Sequence, residues 1–193
     1  MKRNVTKVVI AVVLIGIIVG GYYGFTVYRN HISAEDATVL TEVQKVITKN
    51  LDTTYPPTPR EVVKFYNRIM TCFYNESYTD VELYALGDQA RELFDEELLD
   101  NNPREEYFKR LEEEIDEYHD KSKIIVNTSV CDSNEVLMLD VDGDECAYVT
   151  ASYFVKEESG SNRTHQMYVL RKDEDGRWKI LVFYQIEGDS TDD

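Results

Sequence analysis

Cations are scarce in this sequence. It carries 21 Lys and Arg against 37 Asp and Glu, which gives a formal net charge of −16 at pH 7. Four of the cations precede residue 30, so the rest of the chain carries 17 cations against all 37 acids. A field of this sign repels the phosphates of nucleic acids and anionic lipid headgroups. The charge therefore predicts no nucleic-acid partner and a solvated acidic surface, and it leaves open an attraction for cationic partners.

Cysteine is also scarce, and this limits metal and redox chemistry. Cys72, Cys131 and Cys146 are the only cysteines, and they lack the C-x-x-C spacing of zinc and redox sites. Cys72 falls in an apolar helical stretch and is expected to pack as a small hydrophobic residue. Cys131 and Cys146 fall on neighbouring predicted strands, where a disulfide forms only if the cross-strand geometry allows it.

One acidic segment resembles the start of a calcium loop. Residues 140–144 read DVDGD. Gly143 comes two residues too early for the sharp turn of such a loop, and Ala151 stands where the bidentate Glu is required. The segment is therefore interpreted as a hairpin turn, and no metal site and no cofactor are predicted.

Long apolar runs are absent after residue 29, but one lies before it. Residues 8–28 are 21 uncharged, mostly apolar positions. At about 1.5 Å per residue, a helix of this length matches the roughly 30 Å hydrocarbon layer of a bilayer. A cleavable signal peptide is the alternative, but the run continues into aromatic residues without a small-residue cleavage pattern. A buried core helix rarely runs this long without a polar face. A membrane anchor is therefore predicted.

The charges beside this segment predict its orientation. Lys2, Arg3 and Lys7 precede it, while Arg29 alone lies just after it. The positive-inside rule then places the N-terminus in the cytoplasm and the C-terminal domain outside the cell membrane. The predicted boundaries are a cytoplasmic tail at 1–7, a transmembrane anchor at 8–28, a stalk at 29–37, an extracytoplasmic domain at 38–187 and an acidic tail at 188–193.

The residues after the stalk predict helices. Four segments combine a capping signal with apolar residues at helical spacing. The first helix is capped near Ser33 and carries Leu40, Val43, Ile47 and Leu51, and the second begins at Pro59 after Thr58. The third begins after Thr79 and carries Leu83, Leu86, Ala90, Leu93, Phe94 and Leu98. The fourth is introduced by Asn102 and Pro103.

After Lys123 the apolar pattern changes from helical to alternating, which predicts strands. They are expected at 124–132, 136–141, 144–157, 164–172 and 177–187. Trp178 is expected to share the inner face of the last strand with Ile180, Val182 and Tyr184. Short turns imply antiparallel neighbours, so the predicted fold class is α+β, with about four helices packed on one face of a curved antiparallel sheet of four to five strands.

The last predicted hairpin carries a motif. Residues 167–180 read MYVLRKDEDGRWKI, and this run resembles the closing hairpin of the cone-shaped superfamily named after nuclear transport factor two. The resemblance implies a pocket between sheet and helices that is empty, ligand-filled or catalytic. Residues 55–66 and 90–103 are similar to an uncharacterised family of single-anchor proteins from Gram-positive bacteria, and this similarity implies no activity.

Enzymes of that superfamily commonly use a His or Asp inside the cone, because apolar walls can tune the pKa of such a group. The three histidines of this chain do not converge. His31 lies in the predicted stalk, His119 ends an acidic helix, and His165 begins a strand next to a loop. Each is expected to be solvated or structural.

Other candidate residues are equally unspecific. Asp144 and Glu145 stand at a strand start, where turn acids are common. Tyr148, Thr150 and Ser152 share one predicted sheet face, but the chain has 14 tyrosines and none is singled out. No catalytic residue is therefore predicted.

Two function classes remain. The favoured hypothesis is a non-catalytic binding or assembly module, which the anchor holds outside the membrane to bind a protein or small ligand through its sheet or pocket. The alternative is an anchored dehydratase- or isomerase-like enzyme that acts on a small molecule in the cone. A deep cavity with a buried carboxylate or His facing a Tyr favours the enzyme.

Overall fold

The structure is a computed structural model that describes residues 40–158 and 160–187. The predicted anchor at 8–28, the stalk with Ser33 and His31, and the acidic tail at 188–193 lie outside the described residues. Within the described ranges, no helix is long and apolar enough to cross a bilayer.

Among the described residues, five helices precede five strands, which confirms an α+β fold. The helices are α1 Glu42–Ile47, α2 Pro59–Asn75, α3 Asp80–Arg91, α4 Glu96–Asp100 and α5 Arg104–Asp120. The strands are β1 Ile124–Val130, β2 Leu137–Val141, β3 Asp144–Glu157, β4 Gly160–Lys172 and β5 Trp178–Ile186.

The strands form one antiparallel sheet in the order β1-β3-β4-β5. β2 also pairs with β3, so β1 and β2 lie one after the other along the same edge of β3. Every second residue of β3 from Ala147 to Tyr153 is buried. This inner face meets the apolar side of α2, including Val62, Ile69 and Phe73, and together they form the core.

The N-terminal caps of α2 and α3 confirm the sequence prediction. The Thr58 side chain accepts from the Glu61 N–H, and Thr79 forms a full capping box with Glu82.

The prediction is wrong for the extent of the first helix. Thr41 caps α1 in an extended conformation, so Leu40 precedes the helix, and the helix ends at Ile47 before Leu51.

The prediction for the last helix is also wrong in its cap. Pro103 occupies the N-cap position of α5, and no side chain caps this helix. The Asn102 amide instead donates to the Leu98 carbonyl at 2.8 Å and accepts from Arg110 at 2.7 Å. Asn102 therefore connects α4 to α5 instead of capping α5.

The predicted third helix is wrong beyond Arg91, because the chain there pairs with the last strand. Ile180 donates its N–H to the Leu93 carbonyl at 2.8 Å, and Asp95 donates its N–H to the Ile180 carbonyl at 2.9 Å. A turn after Arg91 thus brings Phe94 alongside Ile180, and the Asp95 side chain starts the separate helix α4 by accepting from the Glu97 N–H.

The carboxylate of Asp95 connects the helices to the sheet. Arg171, near the end of β4, donates to both carboxylate oxygens of Asp95, through Nε at 3.0 Å and through Nη2. The Asp95 side chain is 7% exposed, and its hydrogen bond raises the pKa of Arg171. Loss of Arg171 would leave the Asp95 carboxylate buried without its cation, whereas loss of Asp95 would leave Arg171 partly exposed and still near Glu97 and Asp144.

The turn between β2 and β3 confirms the predicted hairpin. Asp142 and Gly143 have positive φ angles of 56° and 97°, as a two-residue type I′ turn requires. The Asp140 carboxylate accepts from the Gly143 N–H at 3.0 Å. The acids of this segment therefore serve a turn.

All three cysteines are free. Cys72 is buried in α2, as expected. The Cys131 N–H donates to the Thr150 carbonyl, whereas Cys146 lies further along β3 opposite Leu139. The disulfide considered for Cys131 and Cys146 is therefore not formed.

A β-bulge in β5 corrects the predicted inner face of that strand. Val169 pairs with Val182 and Leu170 with Ile180, so Leu181 is an extra residue. Trp178 and Ile180 are buried before the bulge, but Val182 and Tyr184 are exposed after it. Phe183 instead faces inward, with its ring 5.6 Å from that of Tyr168. The predicted face is right for Trp178 and Ile180 and wrong for Val182 and Tyr184.

Substitutions before and after the bulge in β5 should differ in their effect on stability. Trp178→Ala should lower the free energy of unfolding by roughly 3–5 kcal/mol, because it leaves a cavity in the core. Val182→Ala should change it by less than about 0.5 kcal/mol, because this residue is exposed. Urea unfolding of the full chain in detergent, followed by circular dichroism, measures both. Equal losses in the two variants would contradict the bulge.

Candidate functional site

A cavity of about 210 Å³ lies between α2, α5 and the inner face of the sheet. The helices contribute Met70, Tyr74, Glu114 and Tyr118, and the sheet region contributes Lys123, Ile125, Tyr153, Val155, Glu157, Asn162, Thr164 and Gln166. The period of two brings the sheet residues together, because Tyr153 pairs with Thr164, and Val155 pairs with Asn162. One wall is therefore mainly apolar and the neighbouring strand supplies polar groups.

A chain of buried polar side chains runs beside this cavity. The Tyr153 hydroxyl contacts both the Asn67 side-chain amide and the Tyr168 hydroxyl. The Tyr168 hydroxyl lies 2.8 Å from Oε1 of Gln166, which lines the cavity. Asn67 and Tyr168 are at most 1% exposed. The chain therefore connects the middle of α2 to the cavity through groups that water does not reach.

The number of available hydrogens determines which group donates and which accepts at each contact of this hydrogen-bond chain. Two hydroxyls supply one hydrogen each, but the chain has three oxygen contacts. Nδ2 of Asn67 is buried and lacks a partner among the described residues when Oδ1 faces Tyr153. Turning the Asn67 amide over lets Nδ2 donate to Tyr153, Tyr153 to Tyr168 and Tyr168 to Gln166, with one hydrogen for each contact. We adopt this arrangement.

This donor-to-acceptor order determines which end of the Gln166 amide faces the cavity. Its Oε1 accepts from Tyr168, so its Nε2 carries the free N–H groups, which meet no acceptor among residues 40–158 and 160–187. Turning the Gln166 amide over would also balance the hydrogens, but it would leave both N–H groups of Asn67 Nδ2 buried without a partner, whereas the adopted arrangement leaves only the Oδ1 acceptor in that position. The cavity is therefore supplied with hydrogen-bond donors at Gln166.

Charged and aromatic groups surround the cavity on its helical side. The Tyr74 hydroxyl donates to Glu114 at 2.5 Å, and the Tyr74 ring stacks on Tyr118 with 4.1 Å between centroids. Lys123 and Glu157 form an ion pair at 3.7 Å. The cavity therefore combines one cation, two carboxylates and an aromatic stack.

The tyrosines of the site cannot act as bases near neutral pH. Burial raises the pKa values of Tyr74, Tyr153 and Tyr168 above the ordinary value, and it raises the pKa of Tyr118 to about 12. Each shift favours the protonated hydroxyl. These groups therefore act as neutral hydrogen-bond donors and acceptors.

The structure brings none of the predicted candidate residues to this cavity, although His165 and Ser152 do contact each other. His119 lies near the end of α5 with Nε2 3.2 Å from the Tyr74 carbonyl. His165 lies on the other face of the sheet, where its Nδ1 is 2.9 Å from Ser152 Oγ. Asp144 and Glu145 pair with cations at the end of the sheet, at 3.4 Å and 2.6 Å. In the part of the chain that the structure describes, no group of His, Cys, Asp and Glu residues is arranged to hold a metal ion.

The sequence analysis missed Asn67 and Gln166. Asn67 follows Tyr66 on the buried side of α2, so a polar residue within an apolar helical pattern was the available signal. Gln166 ends a run of six consecutive polar residues in β4, so nothing in the sequence distinguishes it from its polar neighbours.

The fold and site define an acidic α+β domain with a small internal cavity. A family model described as Domain of unknown function (DUF6715) matches residues 1–183. The chain therefore belongs to the DUF6715 family, which confirms its membership of an uncharacterised family. A comparison with curated proteins finds no match. The residues of the site are consequently the basis for a functional proposal.

Removing one hydroxyl tests the buried chain. Tyr153→Phe should lower the free energy of unfolding by about 1–3 kcal/mol, because it leaves Asn67 and Tyr168 with unpaired polar atoms. The control is Tyr84→Phe, which removes an exposed hydroxyl that donates to Glu112 and should cost less than about 0.5 kcal/mol. Urea unfolding of the full chain compares the two. Equal stability of both variants would refute a connected buried chain.

Proposed function

We propose that this chain is a membrane-anchored, extracytoplasmic binding module whose cavity takes a small neutral molecule. The observation that carries the proposal is the buried chain from Asn67 to Gln166, which presents free N–H groups at the cavity. Such a group recognises a hydrogen-bond acceptor, such as a carbonyl or amide oxygen. A volume of about 210 Å³ lies below the roughly 300–1,000 Å³ of common ligand pockets and suits a compact molecule.

The lining residues favour binding over catalysis. The alternative function, an anchored dehydratase or isomerase, needs a carboxylate or His inside the cavity that faces a Tyr. Glu114 meets Tyr74, but Glu114 is exposed, and the pKa shift of Tyr74 keeps its hydroxyl protonated. Both histidines among the described residues lie outside the cavity lining. This arrangement supports ligand binding and gives no support to proton transfer.

The proposal includes the anchor and its orientation. Residues 8–28 have the length and apolar composition of a transmembrane helix, and the cations before residue 8 outnumber the one just after it. We propose an N-terminus in the cytoplasm, a stalk at 29–37 and the acidic domain outside. The net charge of −16 supports a domain that stays away from anionic lipid.

The same proposal covers the fold family and the host. Helices on one face of an antiparallel sheet, and a closing β4–β5 hairpin with a buried Trp178, support membership of the cone-shaped superfamily named after nuclear transport factor two. The similarity of residues 55–66 and 90–103 to single-anchor proteins supports a Gram-positive bacterial host.

Protease accessibility tests the topology. In intact cells stripped of their wall, added protease should digest the C-terminal domain, whereas an epitope tag at the N-terminus should survive until the membrane is permeabilised. Immunoblots against both ends provide the measurement. A protected domain in intact cells would contradict the proposed orientation.

Filling the cavity tests the binding role. Val155 lines the cavity, so Val155→Trp should occupy its volume, whereas Val126→Trp changes a residue that is 54% exposed on β1. Native mass spectrometry of the full chain extracted from its host membrane should show a small bound mass in the wild type and in Val126→Trp, and none in Val155→Trp. A mass retained equally by both variants would place the ligand elsewhere, and the absence of any bound mass in the wild type would count against the proposal.

A further inference from the structure

Specific contacts protect parts of the sheet edges. On the β1 edge, the Asn75 amide donates to the Ile125 carbonyl at 2.7 Å and accepts from the Ile125 N–H at 2.9 Å. Arg60 donates to the Cys131 carbonyl at 2.6 Å, just after β1 ends. Because these groups occupy the backbone, no strand can add to β1 there.

The opposite edge is protected in the same way at the start of β5. The Tyr55 hydroxyl donates to the Trp178 carbonyl at 2.9 Å, and Leu93 and Asp95 take both backbone groups of Ile180. The end of β5 is also open: residues 182–185 are exposed, and they carry no charge.

β2 is an edge strand without such protection. All five of its residues are exposed, and it pairs only with β3 within the described ranges. Val141 and Asp144 flank the two-residue turn and share hydrogen bonds, so Met138 and Asp140 turn their backbone groups away from β3. Exposed edges usually carry Lys or another charge, Pro or a bulge; β2 has no Lys, Pro or bulge, and its one charged residue is Asp140.

The side chains of β2 add an apolar surface to this open edge. Leu137, Leu139 and Val141 are each more than 40% exposed and point to the outer face of the sheet, opposite the helices. Met138, on the other face, is 52% exposed. An added strand would therefore find unpaired backbone groups and apolar side chains together.

The charge around β2 indicates the chemistry of the partner. Between Lys123 and Lys156 the chain has six acids and no Lys, Arg or His. Asp132, Asp144 and Glu145 pair with cations from other elements, but Asp140 and Asp142 have no cation partner in the described part of the chain. The net charge of −16 opposes a second copy of this chain at the same edge.

We propose that β2 is a docking strand for an extended segment of another protein in which basic and apolar residues alternate. The segment adds antiparallel or parallel to the edge, takes the backbone groups of Met138 and Asp140, and places its cations near Asp140 and Asp142. The proposal rests on the binding role proposed above but concerns a surface separate from the cavity. The variant Val155→Trp, which fills the cavity, should therefore leave this interaction unchanged.

A short peptide of alternating lysine and valine is the probe, and fluorescence anisotropy with the full chain in nonionic detergent measures its binding. The peptide should bind, and higher salt should weaken the binding because the contacts are charged and exposed. Two control peptides should bind at least about tenfold more weakly: one with glutamate in place of lysine, and one with alternate backbone nitrogens methylated.

Matched variants at one position locate the site. Met138→Pro removes the outward N–H without breaking a β2–β3 hydrogen bond, and Met138→Ala removes the side chain but keeps the N–H. Peptide binding should fall about tenfold or more in Met138→Pro relative to Met138→Ala. Circular dichroism of both variants establishes that the fold is kept.

Three results of the peptide experiments would overturn the proposal. They are absence of peptide binding to the wild type, equal binding of the backbone-methylated peptide, and equal binding by folded Met138→Pro and Met138→Ala. The methylated peptide is tested on the wild-type chain, so its binding tests the proposal even if Met138→Pro does not fold. Sedimentation equilibrium that shows a dimer dissociated by Met138→Pro would assign the edge to a second copy and also overturn it.

Discussion

The connection between the helices and the sheet depends on Asp95. Its backbone N–H pairs with Ile180 in β5, its carboxylate starts α4, and the same carboxylate binds Arg171 of β4. The backbone and the nearly buried side chain of one residue therefore contact three elements. The arrangement is specific because a carboxylate in this environment needs its cation and its backbone donors at the same time.

Local features of the fold were readable from the sequence because their causes are local. Thr58 and Thr79 start helices by accepting from N–H groups three residues later, so the capping residues are visible in a few letters. The Asp142-Gly143 turn is equally local, since both residues need positive φ. The alternation of buried residues along β3 follows from the strand period.

The features that the sequence did not predict correctly depend on contacts between residues far apart in the chain. The helix expected to continue through Leu93 ends earlier because Ile180 offers a better backbone partner. The bulge at Leu181 is set by pairing with β4, so alternation within β5 alone assigned the wrong face to Val182. The buried hydrogen-bond chain beside the cavity includes a contact between Asn67 and Tyr153, which are 86 residues apart, and neither residue predicts the other in the sequence. For this reason the sequence supported a pocket by resemblance only and did not identify its polar residues.

The hydrogen-bond chain from Asn67 to Gln166 makes the cavity selective for the donor or acceptor character of a ligand. A ligand that donates at Gln166 would require its amide to turn over, and Nε2 would then face Tyr168. The Tyr168 hydroxyl would have to give its hydrogen back towards Tyr153, and Tyr153 would have to give its own to Asn67. Every link would reverse, and Asn67 would be left with a buried N–H that lacks an acceptor. Two molecules of the same shape are thus distinguished by the orientation of hydrogen bonds that extend to Tyr168 and Asn67, which do not line the cavity.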